Sequence, residues 1–256
     1  MSLDRFSLEG KVAIITGGAG GCGEEYGRAL TEVGAQVVLA DLDGERAEQK
    51  AKELREQGRR AIGVRVDITD PDAAAAMVAR TNDEFGGVDI LINNAALMKE
   101  IPLGSILELP LDWFERVMRV NVMGALVCAR AAVPSMLERG GGRIINQVSG
   151  GAFIPGGVYS VSKLALVSLT TCLATELGSQ NINVNAIAPG FVQDEAGYAS
   201  LGKDDPMRAA FLSAVPGKKE GPPEDLVGTI LLLASQAGDW INGQVISVDG
   251  GWIMRV

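Results

Sequence analysis

Val12-Ala13-Ile14-Ile15-Thr16-Gly17-Gly18-Ala19-Gly20-Gly21-Cys22-Gly23 is the stretch on which the reading of the fold turns. A short run rich in Val and Ile leads straight into a glycine-rich turn, and a helical pattern follows with Tyr26, Leu30 and Val33 on one face. Glycines remove the Cβ atoms that block close approach, and a helix starting there presents free N–H groups, so the turn admits a diphosphate. A glycine-rich turn that merely packs tightly looks the same locally. Asp41 separates the two readings. It ends the next apolar run, where a carboxylate accepts hydrogen bonds from both hydroxyls of an adenosine ribose and repels a 2′-phosphate. The pattern predicts NAD over NADP.

Further apolar runs at 36–40, 61–66, 89–92, 143–148, 182–186 and 244–248 repeat the first, giving seven strands in all. Helical patterns lie between them, at Ala47/Ala51/Leu54 and over 111–139, 160–178 and 224–236. Continuous apolar strands alternating with helices predict a seven-stranded parallel sheet covered on both faces, a doubly wound α/β (Rossmann) fold. No Pro/Ser-rich linker interrupts the alternation, so 1–256 reads as a single domain. The one irregular stretch, 189–222, follows a strand at the carboxyl edge, and 190–215 reads as a mobile substrate lid.

Composition narrows the chemistry. The 256 residues are 47% hydrophobic and 21% charged, as in a globular chain with an ample core. A net charge of −9 argues against nucleic acid and against an anionic membrane surface. The absence of histidine removes Ser-His-Asp triads, Cys-His nucleophiles and His-ligated zinc, and no metal site is expected. Cys22, Cys128 and Cys172 are scattered and odd in number, as expected of reduced, packed thiols in the cytoplasm. The N-terminus lacks a signal-peptide core, and there is no uninterrupted apolar stretch long enough to span a bilayer.

Acid–base chemistry therefore needs another group. Tyr159 and Lys163, four apart in a helical pattern, share one face, and nearby positive charge favours the phenolate of a group whose ordinary pKa is ~10. Ser149 directly follows the fifth strand, where its hydroxyl can hold a carbonyl oxygen beside the phenol. Asn121 interrupts an apolar helix stripe and points inward, either as a satisfied core amide or linked to Lys163 by a buried water. Asp67 suits an adenine contact or a helix-start turn. Asn93-Asn94-Ala95-Ala96 lets backbone approach a cofactor, with Asn93 read as structural support.

Taken in order, these residues resemble the short-chain dehydrogenase/reductase family along essentially the whole chain. The resemblance rests on Thr16, Gly17, Gly21 and Gly23 of the glycine turn, Asp41, Asp67, Asn93 to Ala95, and the tetrad Asn121, Ser149, Tyr159 and Lys163. Pro189-Gly190 and the Val248-Asp249-Gly250-Gly251 ending complete it. It implies that Tyr159 moves the proton, Lys163 lowers the tyrosine pKa and binds the nicotinamide ribose, Ser149 orients the carbonyl and Asn121 anchors a water relay. It also implies cofactor contacts at Gly17, Gly21, Cys22, Gly23, Asp41, Asp67, Ile68, Asn94, Ala95, Tyr159, Lys163, Pro189, Gly190 and Val192. Two departures stand out. Ser149 and Tyr159 are about three residues closer than in many members, and Asp194 takes the place of a Thr that often contacts the carboxamide.

The expected pocket residues Leu97, Met98, Gly151, Phe153 and Ile154 are mostly apolar, pointing to a small or medium hydrophobic alcohol or ketone as substrate. Lys99, Lys203 and Arg208 read as solvated rim cations. Helices 111–139 and 160–178 are apolar around much of their circumference, which predicts helix-to-helix association. The resemblance implies a homotetramer, a dimer being next. The leading reading is an NAD-dependent secondary-alcohol dehydrogenase or ketone reductase. Alternatives are a 3-oxoacyl-thioester reductase and a non-catalytic NAD-binding scaffold or sensor.

Overall fold

Each apolar run of the sequence becomes one strand of a single parallel sheet. The computed structural model describes residues 3–99, 101–102, 104–194, 197, 202, 204–217 and 220–254. The strands are β1 (Val12–Thr16), β2 (Gln36–Asp41), β3 (Ala61–Arg65), β4 (Ile90–Asn93), β5 (Gly142–Gln147), β6 (Ile182–Pro189) and β7 (Val245–Val248). Their order is β3-β2-β1-β4-β5-β6-β7, with every pair parallel. The order reverses between β1 and β4, and a crevice opens at the carboxyl ends there. Thr16, Asn93 and Asn146 lie side by side in the register at that point.

Period-2 alternation feeds two core layers. Ile15 faces a layer with Tyr26, Leu30, Leu54, Ile230 and Leu233, whereas Ile14 faces one with Met77, Cys128, Met136 and Leu173. The first layer is closed by α1 (Gly21–Glu32), α2 (Gly44–Glu56) and, late in the chain, Glu224–Ala234. The second is closed by α3 (Pro71–Phe85) and, beyond it, by 124–138 and 157–177.

Helix α3 is absent from the periodicity reading because its Ala-rich sequence carries little apolar contrast. Its end signals were present all the same. Asp70 caps it by accepting from the Asp72 and Ala73 N–H groups, Pro71 occupies its first turn and Gly86 closes it at φ 83°.

The stretch read as one helix over 111–139 is instead α4 (Leu111–Met118), a π-helical turn at Arg119–Met123 and α5 (Gly124–Glu138). Asn121 sits in that π turn, a feature that often marks functional positions. The chain continues with α6 (Gly157–Leu177), whose first turn holds Tyr159, then α7 (Pro206–Ser213) and α8 (Glu224–Ala234). Asp89 falls just outside β4, and its buried carboxylate accepts the Val12 N–H at 3.0 Å and pairs with Lys11 at 3.0 Å and Arg139 at 2.7 Å. The packed-thiol expectation holds for Cys22 and Cys128. Cys172 is exposed, on the outward side of α6.

Candidate active site

The glycine turn is held by sterics that only glycine satisfies. Gly17 has φ +64°, and a Cβ on Gly23 would come within 2.1 Å of the Gly17 carbonyl oxygen. Gly20 starts α1 without a side-chain cap, so backbone N–H groups of the first turn face the crevice at the positive end of the helix. Asp41 at the end of β2 accepts from the Ala19 N–H at 3.1 Å and the Asp43 N–H at 3.1 Å, which ties the turn to the strand edge. Asn94 donates to the Thr16 and Gly17 carbonyls at 2.9 and 3.0 Å, closing the other side. Asn93 instead donates to Asn146 at 2.9 Å inside the sheet, the supporting part expected of it.

A cavity of about 810 Å³ joins this turn to the chemical residues. Among the expected cofactor contacts it is lined by Gly17, Gly21, Cys22, Asp41, Asn94, Ala95, Pro189, Gly190 and Val192, together with Tyr159 and Lys163. Gly23, Asp67 and Ile68 do not line it. Gly23 acts one layer below through the backbone contact just described. Asp67 accepts from the Thr69 N–H and hydroxyl at 2.9 and 2.8 Å, the geometry of a helix-start turn, and Ile68 packs against Gly124. The shape fits an extended dinucleotide. Its phosphates would meet the α1 N–H groups, its adenosine hydroxyls Asp41 and its far end Tyr159 and Lys163.

Ser149, Tyr159 and Lys163 open on the same cavity. The Ser149 hydroxyl accepts the Gly151 N–H at 3.1 Å and lies beside the Tyr159 phenol. Ten residues are thus enough, because a 3-10 turn at Gly150–Phe153 folds the short connection back. Lys163 is buried, donates from Nζ to the Gln147 carbonyl at 2.8 Å and lies 5.6 Å from the Tyr159 ring centre.

Burial opposes the expected lowering of the tyrosine pKa. Burial raises the Tyr159 phenol above its ordinary value, with the Ser149 hydrogen bond opposing, and burial pulls Lys163 down to about 7. A neutral phenol beside a serine hydroxyl is a proton donor aimed at a carbonyl oxygen.

Asn121 does not line the cavity. Its side chain accepts the Leu97 N–H at 2.7 Å and donates to the Leu97 carbonyl at 3.1 Å and the Ser162 hydroxyl at 3.0 Å. Ser162 in turn donates to the Tyr159 carbonyl at 2.7 Å. The amide therefore pins the pocket loop and the first turn of α6 together.

Met98, Gly151 and Ile154 line the main cavity; Phe153 lines a neighbouring one of about 610 Å³ with Ile106 and Leu164. Sequence reasoning missed the aromatic wall of Phe191, Phe211 and Trp252, whose ring centres are 4.7–6.1 Å apart. These residues are distant in the chain, and no periodicity links them. It also misjudged Arg208, which is 1% exposed, lines the cavity and pairs with Glu220 at 2.6 Å. Lys203 and much of the expected lid lie outside the described residues; of the rest, α7 supplies Arg208 and Phe211. Tyr26 and Gln147 were missed as well. The Tyr26 phenol donates to the Gln147 side chain at 2.5 Å beneath the glycine turn.

Comparison with known proteins agrees with this geometry. Residues 17–253 match a family model described as enoyl-(acyl carrier protein) reductase. The chain is 36% identical over 261 residues to the 2-dehydro-3-deoxy-D-gluconate 5-dehydrogenase of Escherichia coli, covering 100% of both. It superposes with TM-score 0.92 on a short-chain type dehydrogenase/reductase from Mycobacterium marinum, at 35% identity and 99% coverage of both chains. A 7α-hydroxysteroid dehydrogenase structure with NADH and 7-oxo glycochenodeoxycholic acid gives TM-score 0.92 at 31% identity, covering 100% of this chain and 99% of the other. With its parallel sheet, glycine turn and Ser149–Tyr159–Lys163 cluster, the chain belongs to the short-chain dehydrogenase/reductase family of oxidoreductases.

Proposed function

We propose that the protein is an NAD-dependent oxidoreductase that interconverts a secondary alcohol and a ketone. The observation that carries this reading is the single cavity shared by the glycine turn, Asp41, Ser149, Tyr159 and Lys163. When bound, the nicotinamide supplies or accepts the hydride at the carbinol carbon. The chain does the rest. Ser149 holds the carbonyl oxygen, and the Tyr159 phenol gives that oxygen its proton during reduction. Lys163, with its pKa pulled to about 7, binds the ribose and adds positive charge beside the phenol once protonated. Asn121 positions the pocket loop and the α6 start rather than touching substrate.

The aromatic wall and Met98 favour an apolar body on the substrate. A second reading, a substrate bearing a carboxylate, is supported by the buried Arg208 in the cavity wall and by the sugar acid in the name of the Escherichia coli relative. Exposed Met123, Val161 and Leu164 on the α5 and α6 side leave an apolar face that a homotetramer, or failing that a dimer, would bury.

The test is a screen of neutral and acidic alcohols and ketones, read by the near-ultraviolet absorbance of reduced nicotinamide, with each cofactor. Activity with NAD should exceed that with NADP. Asp41→Ala should cut that preference by roughly 10²-fold, since it removes a charge close to the 2′ position. Equal use of both cofactors by the unmodified enzyme would overturn the NAD assignment. Turnover of an acyl thioester in place of free ketones would favour the thioester-reductase alternative, and NAD binding without any turnover the scaffold.

A further inference from the structure

Past β6, Val192 forms a parallel bridge with Gly221, and the Gln193 N–H donates to the Gly221 carbonyl at 2.9 Å. That pairing holds Asp194 against the first turn of α1. One carboxylate oxygen accepts the Gly197 N–H at 2.7 Å, which fixes the group. The other accepts the Cys22 thiol at 3.5 Å and lies 2.7 Å from where a Cβ on Gly21 would stand. Gly21 and Cys22 line the crevice wall on which a diphosphate would rest, and Asp194 lines the same cavity.

A helix start with no side-chain cap draws an anion. Here the Asp194 carboxylate stands beside that start, at Gly21 and Cys22.

Resting on the reading of this turn as a dinucleotide seat, we propose that Asp194 is an internal anion held in part of the diphosphate position, and that it sets cofactor affinity. Two anions cannot share one helix terminus without a Coulomb cost that grows as water is excluded. A diphosphate seated there meets the Asp194 charge beside Gly21 and Cys22, so this carboxylate weakens dinucleotide binding.

Titration calorimetry with ADP-ribose tests this without reference to activity, because that ligand carries the diphosphate and no nicotinamide. Asp194→Asn keeps the shape and the acceptor for Gly197. It should bind ADP-ribose roughly tenfold tighter than the unmodified protein at low salt, with the gain shrinking at high salt. Adenosine, which has no phosphate, should bind both proteins alike. Asp194→Thr serves as the second variant, with thermal melting to confirm that each is folded. Equal or weaker ADP-ribose binding by folded variants, a gain that salt leaves untouched, or the same gain for adenosine overturns the proposal and leaves the dinucleotide seat standing. If neither the unmodified protein nor the variants bind ADP-ribose, both the proposal and the seat fall.

Discussion

Replacing Tyr159 with Phe is expected to lower turnover by about 10²–10⁴-fold while NAD binding stays near that of the unmodified enzyme. The ring remains, so the packing beside Lys163 survives; only the phenol hydroxyl beside Ser149 is lost. The diphosphate and adenosine contacts lie at the far end of the cavity, around Gly21 and Asp41, so the dinucleotide loses nothing there. Steady-state kinetics with a fluorescence titration of NADH separates the two effects. Retained turnover in the phenylalanine variant would remove Tyr159 from the mechanism.

Replacing Asp89 with Ala should cost about 2–3 kcal/mol of folding stability. This carboxylate is 4% exposed and ties the start of β4 to two other segments: the start of β1 through Lys11 and Val12, and Arg139 after α5. Alanine leaves the buried Val12 N–H without its acceptor. The figure sits below that for a fully buried pair because Lys11 and Arg139 keep access to water. Hydrogen bonds from Arg139, Lys11 and Val12 outweigh burial and hold the Asp89 pKa below its ordinary value.

The unfolded chain therefore takes up its proton first as pH falls. The stabilisation is complete above the unfolded carboxylate pKa of ~3.9 and is lost as pH drops through the lower folded value. Denaturant unfolding should show the full deficit at neutral pH and a shrinking one in acid. A deficit below about 0.5 kcal/mol at neutral pH would contradict this role.

What the sequence disclosed and what it hid have physical causes. The central strands β1, β2 and β4 were legible because both faces are buried, so they read as apolar runs, and β1 and β2 fall within one residue of their expected ends. The glycine turn, Asp41, Ser149, Tyr159 and Lys163 were legible because each sits at a strand end or in a helix first turn, where sequence position fixes spatial position. The π turn at Arg119–Met123 was not, since it needs the contacts of Asn121 with Leu97 and Ser162, residues far away in the chain. The aromatic wall and the burial of Arg208 were hidden for the same reason. The burial that opposes a lowered Tyr159 pKa was hidden too, because proximity to an ammonium can be read from spacing whereas the extent of burial cannot.

In a crystal structure of the complex with NAD, the diphosphate is expected on the first turn of α1, the adenosine ribose on Asp41, and the nicotinamide ring facing the Tyr159 and Ser149 hydroxyls. A dinucleotide bound elsewhere, or seated with its nicotinamide turned out of the crevice and away from Tyr159, would contradict the proposed function.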